Sequence, residues 1–328
     1  MSVQTINYAA AINQALAEEM RRDARVWMMG QDIGRMGGVF GVTRGLLEEF
    51  GAARVRDTTI NETFIVGGAA GAAMTGTIPV VELQFADFIL IAGDEVFHKL
   101  AKWRYVHGGA LKLPVVLRLP TGVLGGAGAE HSQSLEAMAM HTPGLKVVLP
   151  ATPRDAKGLL KTAIRDPNPV LFFEHKSLYR VKGEVSVSED ELVPFGQAAI
   201  RRAGRDVTAI ATGLMVGRTL EAAEHLAGDG IEVEVIDPRT LVPLDMETIL
   251  ASVARTARAV VVHEAVRTAG PGAEIAARIQ ERAFFDLDAP VWRVAGTDTP
   301  IPQDPVLEQA CIPSVAEIET AIRELMRV

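Results

Sequence analysis

The chain has 328 residues, of which 48% are hydrophobic, 23% charged and 5% aromatic, and it carries a formal net charge of −8. This length suits two ordinary domains with sizeable cores, and the acidic balance argues against nucleic acid or an anionic membrane as partner. Cys311 is the only cysteine, which excludes an internal disulfide and a cysteine-based metal centre.

The first residues lack the basic start and apolar run of a signal peptide, and no uninterrupted apolar segment is long enough to span a bilayer, so a cytoplasmic protein is expected. From position 8 to 22, Ala11, Ile12, Ala15, Leu16 and Met20 recur on one face of a helix. Short apolar strands follow at 26–30, 78–83, 114–119, 146–150 and 169–173, with a helical run at 153–164. Strands alternating with helices predict a mostly parallel sheet covered on both faces. The polar stretch beginning at Lys182, with Gly183 inside it and Pro194 after it, is read as a linker over 182–194. A second α/β pattern then runs through strands at 207–213, 231–237 and 259–264 and helices at 216–226 and 272–284. The boundaries are thus 1–181 for the first domain and 195–328 for the second.

One carboxylate stands out. Glu62 heads the run Asn61-Glu62-Thr63-Phe64-Ile65-Val66-Gly67-Gly68-Ala69-Ala70-Gly71, which is otherwise small and apolar. A carboxyl in dry surroundings favours its neutral form and can relay protons near neutral pH. The same residues also read as a plain helix start, with Asn61 as cap and Glu62 suited to the positive end. Two further segments carry chemistry: Gln84-Phe85-Ala86-Asp87-Phe88, just after a strand, and the flexible Gly125-Gly126-Ala127-Gly128-Ala129-Glu130-His131. Loops at the carboxyl ends of strands are where open α/β sheets bind ligands. No Gly-x-Gly-x-x-Gly fingerprint and no phosphate-binding P-loop is present. Gly228-Asp229-Gly230 would open a magnesium–diphosphate motif, but no Asn-Asn closes it, and it reads as a helix-to-strand turn.

These segments, with Gly37-Gly38-Val39-Phe40, His131-Ser132-Gln133-Ser134, Asp237-Pro238-Arg239-Thr240 and His263-Glu264-Ala265 in register, resemble the beta subunit of the thiamine-diphosphate-dependent 2-oxoacid dehydrogenases. That family serves the pyruvate, branched-chain 2-oxoacid and acetoin complexes. The resemblance covers essentially the whole chain. It implies a doubly wound α/β domain that binds the aminopyrimidine of thiamine diphosphate, followed by a transketolase C-terminal-like α/β domain. Glu62 would hydrogen-bond the aminopyrimidine and promote proton removal from the thiazolium carbon. Phe88 would stack on that ring, Gln84 and Ile60 would line the pocket, and His131 would act beside the substrate. Val115, Ala163, Ile164, Asp166 and Asn168 match a potassium site in the family. Without a magnesium–diphosphate motif, the resemblance implies an alpha subunit that binds Mg2+ and the diphosphate, in a heterotetramer of two alpha and two beta chains. A lipoyl acyltransferase would be the further partner, docking a basic domain on the acidic C-terminal domain, and a small 2-oxoacid or acetoin the substrate. A split transketolase-like subunit and a non-catalytic scaffold are the alternatives. His263 is read as a structural or interface histidine.

Overall fold

The computed structural model describes residues 2–328, which fall into two units. The first comprises residues up to Thr121 and Met138–Phe195; the second comprises Gly122–Ala137 and Gly196–Val328.

In the first unit, strand β1 (Val3–Asn7) leads directly into helix α1 (Tyr8–Arg22), capped where the Asn7 side chain accepts from Ala10 N–H at 2.7 Å. Strand β2 (Val26–Gln31), helix α2 (Leu46–Phe50), strand β3 (Val55–Thr58), helix α3 (Glu62–Met74) and strand β4 (Ile78–Glu82) follow. A 3-10 turn (Ala86–Leu90), a π-helical segment (Glu95–Leu100) and helix α4 (Ala101–Val106) lead to strand β5 (Val116–Thr121). After the excursion into the second unit, helix α5 (Glu136–Met140) returns the chain to strand β6 (Lys146–Val148), helix α6 (Pro153–Arg165), strand β7 (Val170–His175) and strand β8 (Lys182–Ser186).

Six strands of this unit lie side by side in the order β6-β7-β5-β4-β2-β3, every neighbouring pair parallel. Every residue of β4, β5 and β7 is buried. That is why they read as continuous apolar runs rather than as alternation. Helices α1 and α6 pack together through a largely buried ionic seam: Lys157 and Lys161 reach Glu18 at 2.6 and 2.8 Å, and Arg165 reaches Glu19 at 2.6 Å. Residues 182–194 do more than link. β8 pairs antiparallel with β1, Val3 opposite Ser186, so the stretch expected as a linker opens with a strand that ties down the N-terminus.

The second unit carries strand β9 (Ala199–Arg202), strand β10 (Val207–Ala211), helix α7 (Leu214–Gly228), strand β11 (Val233–Asp237), the short strand β12 (Thr240–Val242), helix α8 (Met246–Thr256), strand β13 (Ala259–Val266), helix α9 (Pro271–Ala283), strand β14 (Trp292–Gly296), helix α10 (Pro305–Ala310) and helix α11 (Val315–Leu325). Its sheet runs β14-β13-β10-β11-β9, parallel except for the edge strand β9. Ile210, Ile236, Ile249, Val253, Val261, Ile275 and Ile279 form its core. Gly230, at φ +84°, makes the turn from α7 to β11, as Gly228-Asp229-Gly230 led one to expect. His263, on β13, has no exposed surface. A Cβ added to Gly272 would sit 2.5 Å from its imidazole, so the glycine makes room for the ring. Burial pushes the His263 pKa down to about 4, opposed only partly by the Ala265 backbone.

Candidate active site

Strand β3 runs into residues 59–61, and α3 begins at Glu62 because the Asn61 carboxamide accepts from Phe64 N–H at 2.9 Å. The plain helix-start reading of this stretch is therefore correct, and it delivers the carboxylate to a specific place. Glu62 is 6% exposed in the first turn. Thr63 Oγ1 donates to the Ile91 carbonyl at 3.1 Å, tying that turn to the segment that follows β4. Strand β4 ends at Glu82, and Gln84 and Phe88 follow it, both half-buried. Glu62, Gln84 and Phe88 thus belong to segments that leave the carboxyl ends of parallel strands, where ligands bind in this class of sheet. Ile60, Phe64, Leu90 and Ile91 stand exposed around them, Ile60 by 73%.

A chain of rings leads inward from Phe88. Its ring meets Phe85 edge-on at 5.8 Å, Phe85 meets Phe40 edge-on at 5.8 Å, and Phe40 lies 5.2 Å from Tyr179. The Lys176 ammonium sits 5.0 Å from the centre of the Phe85 ring. Tyr179 donates to Glu174 at 2.9 Å, and Glu174 takes both arms of Arg118 at 2.6 and 2.7 Å. Arg118 also pairs with Glu82. None of the Arg118 side chain is exposed. Burial raises the Glu82 pKa against the pull of Arg118, with Glu174 adding to the rise. Burial alone would lower the Arg118 pKa, but Glu174 and Glu82 more than reverse it, and the guanidinium stays charged.

His131 belongs to the second unit, half-buried in the loop that precedes α5. The structure therefore gathers Glu62, Gln84 and Phe88 in one unit and carries His131 in the other. Val123 N–H donates to Glu264 at 2.8 Å, and Gly125 and Gly126 donate to the two oxygens of Glu308 at 2.7 and 2.8 Å. Beyond His131, Ser132 and Glu136 are buried, and Ser132 Oγ and one Glu136 oxygen have no hydrogen-bond partner. Burial, and secondarily repulsion from Glu264, pushes the Glu136 pKa up to about 7. Ser132, Glu264, Thr268, Asp298 and Thr299 line a cavity of about 500 Å³ in this unit.

The sequence reading missed Arg118, Glu174 and Glu308. A lone cation inside the apolar strand was the available signal for Arg118. Nothing local marked Glu308, which meets its partners across 182 and 183 residues. The residues matched to a potassium site have other engagements. The Asp166 carboxylate pairs with Lys146 and accepts from Asn168 N and Nδ2 at 2.8 Å each. The Val115 carbonyl accepts from Val170 and the Ala163 carbonyl from Asp166. The Lys146 ammonium thus already sits on the Asp166 carboxylate, and each of these carbonyls already accepts one backbone bond. Among the described residues, no group of three or more His, Cys, Asp or Glu side chains is placed to hold a metal.

Residues 4–182 match the family described as the transketolase pyrimidine binding domain, and residues 196–318 match the transketolase C-terminal domain. The chain is 46% identical over 325 residues to the 2-oxoisovalerate dehydrogenase subunit beta of Bacillus subtilis, covering 98% of this chain and 99% of that one. It is 46% identical to the acetoin:2,6-dichlorophenolindophenol oxidoreductase subunit beta of Cupriavidus necator, covering 97% and 96%. It is 44% identical to the pyruvate dehydrogenase E1 component subunit beta of Rhizobium meliloti, covering 97% of this chain and 69% of that one. Among solved structures, a split gene transketolase, described as an inactive beta4 tetramer, superposes with a TM-score of 0.80 over 98% of both chains at 24% identity, a likeness of fold alone.

Proposed function

Since this chain belongs to the family of 2-oxoacid and acetoin dehydrogenase beta subunits, built from transketolase pyrimidine-binding and C-terminal domains, we propose that it is the beta half of such an enzyme, with its active site completed by an alpha subunit. The observation that carries this reading is the buried Glu62 at the head of α3, in a first turn that Thr63 ties to Ile91 after β4, with Ile60, Phe64, Leu90 and Ile91 of the same segments exposed. The three named relatives are dehydrogenase or oxidoreductase subunits at 44–46% identity, whereas the transketolase resembles the chain at 24%, so the transketolase alternative is not favoured. A pure scaffold is disfavoured because the chain keeps Glu62, Phe88 and His131, the residues to which the resemblance assigns the chemistry.

Thiamine diphosphate, when bound, supplies a carbon nucleophile for the 2-oxo group and an electron sink for loss of carbon dioxide. The residues present suit its aminopyrimidine end: a buried carboxylate to hydrogen-bond a ring nitrogen and a half-buried aromatic to stack on the ring. Glu62 offers its carboxyl as the hydrogen-bonding partner of the aminopyrimidine in the proton relay. Phe88 and Ile60 exclude water and orient the ring, and Gln84 lines the same pocket. His131, on its loop, donates a hydrogen bond to developing negative charge on the substrate oxygen or assists acyl transfer. The alpha subunit supplies Mg2+ and diphosphate binding in a particle of two alpha and two beta chains. The acyl group passes to the lipoyl arm of an acyltransferase that docks on the acidic domain at 195–328. Residues 1–181 serve as the pyrimidine domain and 182–194 as the connection. A potassium ion at Val115, Ala163, Ile164, Asp166 and Asn168 would have to share Asp166 with Lys146, and no step is routed through it.

Dye-coupled oxidation of pyruvate, 2-oxoisovalerate and acetoin by the chain co-expressed with its alpha partner tests this. Turnover of one substrate that requires both chains supports the reading. A co-purified complex that binds the cofactor and turns over none of the three contradicts it.

A further inference from the structure

We propose that Glu308 is a positioning residue that holds the His131 loop in its working geometry. The proposal rests on the reading of His131 as catalytic, but its geometry stands on its own. Gly125 and Gly126 both have left-handed backbones, at φ +64° and +99°. That twist turns their two N–H groups onto one carboxylate, each oxygen of Glu308 taking one bond at 2.7 and 2.8 Å. Glu308 has no exposed surface and lies in the first turn of α10, behind Asp304, whose side chain caps that helix. A buried carboxylate is tolerated only where hydrogen bonds replace water, and N–H bonds to an anion are about twice as strong as neutral ones.

The contact is close on the backbone side as well. A Cβ on Gly126 would lie 2.6 Å from the Gln303 carbonyl, so only glycine lets the loop lie this near the residues before α10. Glu264 takes the Val123 N–H at 2.8 Å, a third carboxylate bond within four residues of loop. Glycine-rich segments lose the most conformational freedom on ordering. These bonds therefore set where the loop leaves the scaffold, and a turn closed by His131 N–H on the Gly128 carbonyl at 3.2 Å carries that direction to the histidine. Glu308 touches no reacting atom. It acts through the loop.

The test is a double-mutant cycle in the complex reconstituted with its alpha partner, thiamine diphosphate and magnesium. Glu308→Gln keeps the shape of the side chain and removes its charge, and Gly126→Ala disturbs the same contact from the loop side. Each is expected to lower kcat by about 10- to 100-fold, the cost of ångström-scale misplacement, with cofactor affinity changed less than about twofold. In a His131→Ala background, Glu308→Gln is expected to cost less than about twofold more, because the group it positions is gone. Amide hydrogen exchange should quicken across residues 123–131 while β13 keeps its protection. Losses that multiply in the double mutant, or a Glu308→Gln enzyme with unchanged kcat and exchange, would overturn the proposal. If His131→Ala alone keeps the parent kcat, the catalytic reading of His131 falls instead, and exchange then decides the clamp: faster loop exchange in Glu308→Gln supports it and unchanged exchange overturns it.

Discussion

Glu62 and Glu82 are both buried carboxylates at the carboxyl-terminal side of one parallel sheet, and their surroundings differ in kind. Glu82 is finished: Arg118 joins it to Glu174, and Tyr179 fills a further position on Glu174. Every partner comes from within the chain. Glu62 is buried beside Ile60, Phe64, Leu90 and Ile91, which are exposed. A satisfied buried ion cluster specifies and rigidifies a fold, whereas a buried acid beside uncovered apolar surface marks a site that another molecule completes. On the proposed function, the difference separates a carboxylate kept for architecture from one kept for chemistry.

The sharpest way to break this contrast is to neutralise each member. Glu62→Gln is expected to lower kcat in the reconstituted complex by about 10²- to 10⁴-fold, the usual worth of a positioned proton-transfer group, and to leave the urea midpoint of the chain nearly unchanged. Arg118→Met should do the opposite to stability. It leaves two buried carboxylates without their cation and should cost about 3–5 kcal/mol in urea unfolding. If Arg118→Met is neutral for stability, or Glu62→Gln for activity, the two roles have been assigned the wrong way round.

The pH dependence of stability gives a finer contrast, between two buried groups of the second unit. His263 titrates in the folded chain at about 4, below its ordinary value of 6.5. The unfolded chain therefore binds more protons between these values, and stability is lost as pH falls from about 6.5 to 4, by roughly 3 kcal/mol in full. Glu136 is raised from 4.5 to about 7. Here the folded chain holds the extra proton, and stability is lost as pH rises from about 4.5 to 7, by a similar amount at most. Unfolding of Glu136→Gln against pH should show the second slope removed and the first retained. A Glu136→Gln chain with the parent profile would contradict the assignment. The smallest effect is expected at Phe88: Phe88→Leu keeps the bulk and loses the ring face, so cofactor affinity should fall by about threefold to tenfold in calorimetric titration.

Much of this was legible in the sequence, and the reason is physical. Helix α1 has the bounds its apolar periodicity gives, and the parallel strands appear as unbroken apolar runs because both their faces are covered. Asn61 and Glu62 carried the helix-start reading correctly, since capping is a local signal. Strand β8 was hidden because its pairing with β1 joins residues more than 170 apart, and polar strands at an edge look like linkers. The Arg118 cluster and the Glu308 clamp were hidden for the same reason: which carboxylate meets which cation or amide is decided by the crossing of distant elements. Helix α11, by contrast, was announced by its Ser314–Glu317 capping box and was readable in principle.

The central claim is that this chain holds one half of a cofactor site. Calorimetric titration of thiamine diphosphate with magnesium into the chain alone, the alpha chain alone and the co-purified complex tests it most directly. The account predicts saturable binding by the complex and at least about a hundredfold weaker binding by either chain alone. Binding of equal strength by the isolated chain would show that the site is complete without a partner and would contradict the account.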